Sequence, residues 1–177
     1  MRKHAILILV LALCVSVALS VTAPTSFAQP DPLTIYPGVG IGPVRLGMNV
    51  QRDVVPLLGA WTSSKVFSDG TVLYRWGDQS RGYTAIFEHQ GSATEMFVSN
   101  LPRYTVRGIH IGSGEAQVRS VFGEPLRVTT ESSTDLLTPP SYLPDKLLWY
   151  RGILFYIAQN DADAYYQKVM QINILSP

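Results

Sequence analysis

The chain has 177 residues, with 14 Lys and Arg against 13 Asp and Glu, and a formal net charge of +1. A balance this close to neutral does not point to nucleic acid or to an anionic membrane surface as a partner. Its single cysteine, Cys14, excludes an internal disulfide and a cysteine metal site. We therefore predict a chain that folds by burying apolar groups, with no cofactor and no metal.

Residues 1–28 have the layout of a secretory signal peptide. A cationic start at residues 1–4 precedes an apolar run over residues 5–21, and Ser26-Phe27-Ala28 places small residues at the −3 and −1 positions of a cleavage site. We expect cleavage after Ala28, a net charge of about −1 and no remaining membrane span. The alternative is an uncleaved anchor helix, because the run is near the lower limit for crossing a bilayer. The expected location is the periplasm or the cell exterior.

A first short helix is predicted after a Pro/Gly-rich approach segment at residues 29–43, which has little capacity for regular structure. Asn49 suits the N-cap, and Gly59 suits the left-handed position after the helix. Pro56 should shorten or kink the helix. The apolar positions that we expect to face the core are Val50, Val54, Leu57 and Leu58.

A second short helix is predicted before Gly123, with Ser113 or Gly114 as its cap and Pro125 preventing its continuation. Its opening, Ile111-Gly112-Ser113-Gly114, repeats the Leu46-Gly47-Met48-Asn49 that opens the first helix. Such self-similarity indicates an internal repeat. We predict a first unit at residues 44–103 and a second at residues 104–177.

Strand-rich runs separated by short turns follow each helix. The predicted strands are residues 71–76, 83–89, 94–99, 146–151, 153–159 and 166–175, with additional short strands at 63–67 and 126–130. Short turns favour antiparallel pairing. The predicted fold class is α+β, with two tandem units that each carry one short helix on one face of a three- to four-stranded antiparallel sheet.

This order of elements carries a resemblance to a known family. The opener Leu46-Gly47-Met48, the Val…Leu-Leu-Gly close and the following strand-turn-strand resemble the SmpA/OmlA (BamE-type) small lipoproteins of bacterial outer-membrane assembly. A tandem pair of such units looks like the architecture of the β-lactamase inhibitor protein. The resemblance covers residues 41–175 and implies the fold, with a protein partner in the cell envelope. The chain lacks the lipobox cysteine of the lipoproteins and the disulfides of the inhibitors.

Side-chain alternation along the strands assigns residues to the two faces of the sheet. We align Leu73 with Leu148 and Gly82 with Gly152. The predicted core under the helices is Tyr74, Tyr83, Ala85, Phe87, Trp149, Ile153, Phe155 and Ile157. The other face would carry Leu73, Arg75, Ile86, Glu88, Phe97, Leu148, Tyr150, Leu154 and Tyr156.

That second face is unusually apolar for a surface in water, and exposed apolar area of this kind marks binding sites. The predicted contacts with a protein partner are Tyr150, Tyr156, Leu154, Leu148, Ile86, Phe97 and Arg75. Two alternatives remain open. The segment 29–45 could fold over this face, or the sheet could coil on itself.

A long loop at residues 132–145 is the second candidate. It makes the second unit about 11 residues longer than the first, and long loops are often functional. We expect Tyr142 and Leu143 to contribute to the same interface. Packing of this apolar loop on the edge of the sheet is an equal alternative.

Catalytic motifs give little signal. Gly112-Ser113-Gly114 occupies a helix start and is not the G-x-S-x-G of hydrolases, so a hydrolase using Ser113 and His110 is the least favoured reading. A small-ligand groove between the units, near Trp61, Trp76 and Arg75, is the main alternative. The sequence therefore predicts an exported, non-enzymatic binding protein whose partner is another envelope or extracellular protein, with no prediction for its oligomeric state.

Overall fold

The computed structural model describes residues 31–131, 145–159 and 165–177, so the predicted signal peptide and most of the 132–145 loop lie outside the described residues. A small three-stranded antiparallel sheet comes first in the chain. Its strands are β1 (Ile35–Tyr36), β2 (Gly40–Ile41) and β3 (Val44–Arg45).

The main sheet has eight antiparallel strands in the order β4-β5-β6-β7-β11-β10-β9-β8. Their bounds are β4 (Ser63–Val66), β5 (Val72–Asp78), β6 (Gly82–His89), β7 (Ser92–Ser99), β8 (Arg127–Glu131), β9 (Asp145–Tyr150), β10 (Ile153–Ile157) and β11 (Val169–Leu175). Each predicted strand has a counterpart here. The turn between β6 and β7 is Gln90-Gly91, with φ of 50° and 77°, as a two-residue hairpin of this twist requires.

The predicted α+β class is wrong, because the protein is mainly β: of the residues that the structure describes, 48% lie in strands and 13% in helices. The prediction of two tandem helix-plus-sheet units is wrong as well. Strand β7 pairs with β11, so strands from residues 44–103 and 104–177 form one continuous sheet. This pairing joins segments about 75 residues apart, with Met96 opposite Ile174 and Val98 opposite Ile172. Because no short turn connects these two strands, the local sequence pattern does not predict that they pair.

The helical segments are short. A π-helical turn at Val50–Val54 leads into α1 (Val55–Leu58), and α2 spans Glu115–Phe122. Asn49 caps the first of these as predicted, because its side chain accepts a hydrogen bond from the Arg52 amide. The predicted apolar stripe is only half right, since Leu57 and Leu58 are exposed. None of the helices among the described residues has the length and apolar character to span a bilayer.

The approach segment is more ordered than predicted, because β1, β2 and β3 lie within or next to residues 29–43. Ile35, Ile41 and Val44 from these strands are buried in the same cluster as Val118 of α2. Such two-residue strands depend on distant partners, here the Thr105 carbonyl oxygen, which accepts from the Ile35 amide at 2.8 Å. The small sheet therefore packs on the side of the main sheet that carries the helices.

Candidate partner-binding face

The main sheet has two faces that differ in what covers them. The helix face packs against the helices and the small sheet through the large core cluster, which includes Ile86, Met96, Leu148, Tyr150, Phe155 and Ile172. We call the opposite side the outer face. One cross-strand row on it runs Arg75, Ala85, Phe97, Asn173, Leu154, Trp149 and Arg127.

Three predicted contact residues are on the wrong face for that role. Ile86, Leu148 and Tyr150 are buried on the helix face. The prediction placed them with Leu154 and Tyr156 because the alignment of the two halves was one residue out of register. A slip of one residue moves a strand's side chains to the other face of a sheet.

Tyr150 has a structural role. Its hydroxyl donates a 3.0 Å hydrogen bond to the carbonyl oxygen of Gly123, which ends α2. Its ring packs against Phe122 and Phe155, with centroids 5.3 and 5.9 Å away. Burial raises the pKa of the Tyr150 hydroxyl. This tyrosine therefore fixes the end of α2 on the sheet.

Four other predicted residues do share the outer face. Phe97 and Leu154 are 5% and 3% exposed and form part of its floor, whereas Arg75 and Tyr156 are half-buried. Prediction missed Trp149, which is also half-buried there. Trp149 lies two residues after Leu147, and residues at this spacing point to the same face of a strand. This spacing was the sequence signal that Trp149 and Leu147 share a face.

Arg75 is the most unusual polar residue of the outer face. Its guanidinium lies over the Tyr83 ring, 4.4 Å from the centroid. Its Nε and Nη2 atoms are buried and have no hydrogen-bond partner among the described residues. These two nitrogens form one edge of the guanidinium, the geometry that grips both oxygens of a carboxylate. An unmatched buried donor costs about 1–3 kcal/mol, so a matching acceptor would be favourable.

A polar network occupies the middle of the same face. The Asn173 side-chain amide donates to Glu95 Oε1 at 2.6 Å, and the Gln171 amide donates to Asn173 Oδ1 at 2.8 Å. Burial raises the pKa of the Glu95 carboxyl, and the bond from Asn173 opposes that rise only in part. The centre of the outer face is therefore polar and ordered by its own hydrogen bonds.

Trp149 is held at the far end of the row. Its indole Nε1 donates to the Thr129 hydroxyl at 2.8 Å, and the Arg127 guanidinium lies 5.6 Å from its ring centroid. A tryptophan fixed from both sides presents an ordered aromatic surface at little entropic cost.

The remaining predicted site residues do not join this face. Tyr142 and Leu143 lie outside the described residues. The proposed ligand groove is not assembled either: Trp61 and Trp76 pack against the helix-face core, whereas Arg75 belongs to the outer face. The indole Nε1 of Trp76 donates a 2.9 Å hydrogen bond to the Gly59 carbonyl oxygen.

Ser113 and His110 are neighbours without the geometry of a nucleophile and its base. The Ser113 hydroxyl accepts a hydrogen bond from the His110 backbone amide at 3.1 Å, and the imidazole Nδ1 lies 2.8 Å from the Ile111 carbonyl oxygen. Ser113 is buried. Among the described residues, no group of three His, Cys, Asp or Glu side chains could hold a metal ion.

A cavity of about 400 Å³ lies beside the start of α2, lined by Gly114, Glu115, Ala116, Lys146, Gln159 and Gln167. The Glu115 carboxylate accepts from Lys146 Nζ at 2.7 Å and from Arg119 Nε at 3.0 Å. Burial alone would raise the pKa of Glu115, but the bonds from Lys146 and Arg119 outweigh it and lower that pKa. The two charged residues that line this cavity, Glu115 and Lys146, are therefore paired with each other.

Comparison with known proteins gives a fold and no function. A solved cysteine-rich secretory protein from Staphylococcus aureus subsp. aureus Mu50 is similar to this chain, with a TM-score of 0.51 and 17% identity over 82% of this chain. The chain spans about half of that protein, 50%. No protein-family model matches the sequence, and no curated protein matches it. The resemblance to the SmpA/OmlA lipoproteins therefore stays a prediction.

Proposed function

We propose that this is an exported, non-enzymatic binding protein that engages another protein, in the cell envelope or outside the cell, through the outer face of its sheet. The observation that carries the proposal is the row from Arg75 to Arg127. It crosses seven strands, and at about 4.8 Å per strand it is about 29 Å long.

The size of this row favours a protein partner over a small ligand. Small molecules bind in concave pockets that bury most of their surface, whereas a stable protein interface covers about 800 Å² on each side. A row about 29 Å long has the dimension of a protein interface rather than of a small-molecule pocket. The rival groove near Trp61 and Trp76 loses support because Arg75 is on the other side of the sheet.

The residues of the outer face also suit a protein interface. Arg75, Trp149 and Tyr156 are half-buried on it, and arginine, tryptophan and tyrosine are the residues that contribute most to binding energy in such interfaces. Phe97 and Leu154 support them from below. We expect the Nε and Nη2 edge of Arg75 to take a carboxylate of the partner, since both donors lack an acceptor among the described residues.

Export is part of the proposal. It is supported by the cationic start, the apolar run and the small residues before position 29. A protein processed in this way would meet its partner in the periplasm or outside the cell.

The test is a crosslinking pull-down from the native envelope with tagged wild-type protein and two variants. Tyr156→Asp places a charge on the outer face. Tyr166→Asp makes the same change at a tyrosine that is 43% exposed elsewhere. We expect the first variant to lose a partner that the wild type and the second variant both recover. Equal recovery by all three proteins would refute the proposed face.

Arg75→Lys tests the anchor separately. Lysine keeps the positive charge but cannot present two parallel N–H groups to one carboxylate. We expect about a tenfold loss of affinity for the recovered partner, the equivalent of about 1.4 kcal/mol. Unchanged affinity would remove Arg75 from the interface while leaving the outer face as the binding surface.

A further inference from the structure

Four aromatic rings form a continuous chain along the outer face of the sheet. The ring centroids of Tyr83 and Phe97 are 5.7 Å apart, those of Phe97 and Phe87 are 5.9 Å apart, and those of Phe87 and Phe67 are 6.1 Å apart. Tyr83 and Phe97 are buried, whereas Phe87 and Phe67 are half-buried. The chain of rings therefore reaches the surface at Phe87 and Phe67, where another apolar side chain can pack against it.

The buried end of this chain carries a cation. The guanidinium of Arg75 lies over the ring of Tyr83, and its Nε and Nη2 atoms are buried without an acceptor among the described residues. Because Arg75 as a whole is only half-buried, a small rotation of its side chain brings this edge to the surface. Two parallel N–H groups of this kind match the two oxygens of a carboxylate.

The acidic residues of this half of the sheet have other partners. All four acids between residues 60 and 100 accept hydrogen bonds away from Arg75. They are Asp69, which accepts from Thr71; Asp78, which accepts from Ser80; Glu88, which accepts from the Val50 amide; and Glu95, which accepts from Asn173. Arg75 therefore draws no carboxylate from this stretch of the chain.

The Phe87 end of the chain of rings carries charges of both signs. The ammonium group of Lys65 lies 5.1 Å from the centroid of the Phe67 ring, and Glu95 stands opposite Phe87 on the neighbouring strand. Because these charges oppose each other, this end does not select a charged group. A segment that fits the patch is therefore acidic over Arg75 and apolar over Phe87 and Phe67.

The backbone sets the distance between the two ends. Tyr83 and Phe87 are four residues apart on β6, which corresponds to about 14 Å in an antiparallel strand. Side chains four residues apart on an extended segment point to the same side and have the same separation. On a helix the same spacing covers only about 6 Å. The distance therefore suits an extended segment.

We propose that the partner binds this patch through an extended segment that places a carboxylate on Arg75 and, four residues away, a large apolar side chain on Phe87 and Phe67. This inference rests on the proposed function, because it names the part of the partner that the β4–β7 half of the outer face holds. The carboxylate supplies the acceptor that Nε and Nη2 lack among the described residues. The apolar side chain covers the two half-buried rings.

Synthetic peptides test the proposal by fluorescence anisotropy with the full chain. The first peptide has a glutamate and a phenylalanine four residues apart in a threonine background, which favours extended backbone. The second replaces the glutamate by glutamine, and the third moves the phenylalanine by one position, to the other side of an extended segment. We expect the first peptide to bind about tenfold more tightly than each of the others. No binding of the first peptide, or equal affinity of the first peptide and either of the others, would overturn the proposal.

Two matched arginine variants locate the bound peptide. Arg75→Gln should abolish the preference for glutamate over glutamine, because it removes both the charge and the paired N–H groups. Arg103→Gln is the control, since Arg103 is also exposed over a tyrosine, 5.5 Å from the ring centroid of Tyr104, which packs against the helix-face core. It should keep the full preference. An undiminished preference in Arg75→Gln, or an equal loss in Arg103→Gln, would also overturn the proposal.

The peptide measurements and the pull-down with Tyr156→Asp fail separately. If the first peptide does not bind while Tyr156→Asp still loses the partner, the outer face remains the binding surface and only the extended segment is refuted. If the peptides bind as expected while Tyr156→Asp recovers every partner, the patch is upheld and the larger protein interface is refuted.

Discussion

The hydroxyl of Tyr150 donates a 3.0 Å hydrogen bond to the carbonyl oxygen of Gly123, and so ties strand β9 to the last turn of α2. Carbonyl groups at the end of a helix have no partner within the helix, and this tyrosine supplies one. The residue that looked most like a contact for a partner is thus an internal cap.

Tyr150→Phe tests this role. Phenylalanine keeps the contacts with Phe122 and Phe155 but leaves the Gly123 carbonyl without its donor, so we expect a loss of about 1 kcal/mol in the free energy of unfolding. Urea denaturation measures the change. Partner binding should stay at the wild-type level; a variant of wild-type stability that fails to bind would mean that Tyr150 touches the partner after all.

Gly152→Ala should disturb the junction between the two sheets. Gly152 has φ of +73°, and an added Cβ would lie 2.5 Å from the Gly38 nitrogen, whose N–H donates to the Gly152 carbonyl oxygen at 2.7 Å. We expect a loss of more than about 2 kcal/mol in unfolding free energy, from backbone strain plus overlap.

Gly108→Ala is the matched control for this change. Gly108 has φ of +83°, but no atom lies within 4 Å of the added Cβ. It should lose only the strain contribution, about 1 kcal/mol. Equal losses at positions 108 and 152 would show that the close approach of Gly38 does not matter.

Glu95→Gln should stabilise the protein at neutral pH. Burial raises the pKa of Glu95 above its ordinary 4.5, so the folded state loses stability as the pH rises from about that value through the raised one. Glutamine still accepts the bond from Asn173 and carries no charge. We expect a melting temperature about 2 °C or more above wild type at pH 7 and no gain near pH 4. A gain of equal size at both pH values would contradict this account.

Glu115→Gln should have the opposite pH profile. The folded-state pKa of Glu115 is lowered, so its ion pairs with Lys146 and Arg119 contribute stability above the ordinary carboxyl pKa of 4.5, and that contribution is lost as the pH falls through the lowered value. We expect a loss of about 1 kcal/mol at pH 7, reduced in strong salt, and a loss that becomes smaller as the pH falls further below 4.5. A loss that does not depend on pH would point to packing instead.

Local signals were enough to place the strands. Alternating β-branched and aromatic residues between turns such as Gln90-Gly91 fixed each hairpin. The pairing of β7 with β11 joins distant segments, and the strands of the approach segment depend on contacts such as Ile35 with Thr105. Neither leaves a local pattern, so the single mainly β sheet could not be predicted from periodicity.

The candidate site was predictable only in part. Arg75, Phe97, Leu154 and Tyr156 reached the correct face, whereas Ile86 of β6 and the two β9 residues Leu148 and Tyr150 did not. Burial on both faces of the central strands removes the clean polar alternation that normally fixes register. Trp149 was assigned to the core for this reason, although it stands on the outer face opposite Leu154.

The most direct test of the outer face is photo-crosslinking in the native cell, with a photoreactive amino acid placed at position 149 in the full chain and, as a control, at position 166. The account predicts one discrete crosslinked protein at position 149, absent at position 166 and absent when Tyr156→Asp is also present. Adducts of the same size and yield at both positions, or an adduct at position 149 that persists with Tyr156→Asp, would contradict it.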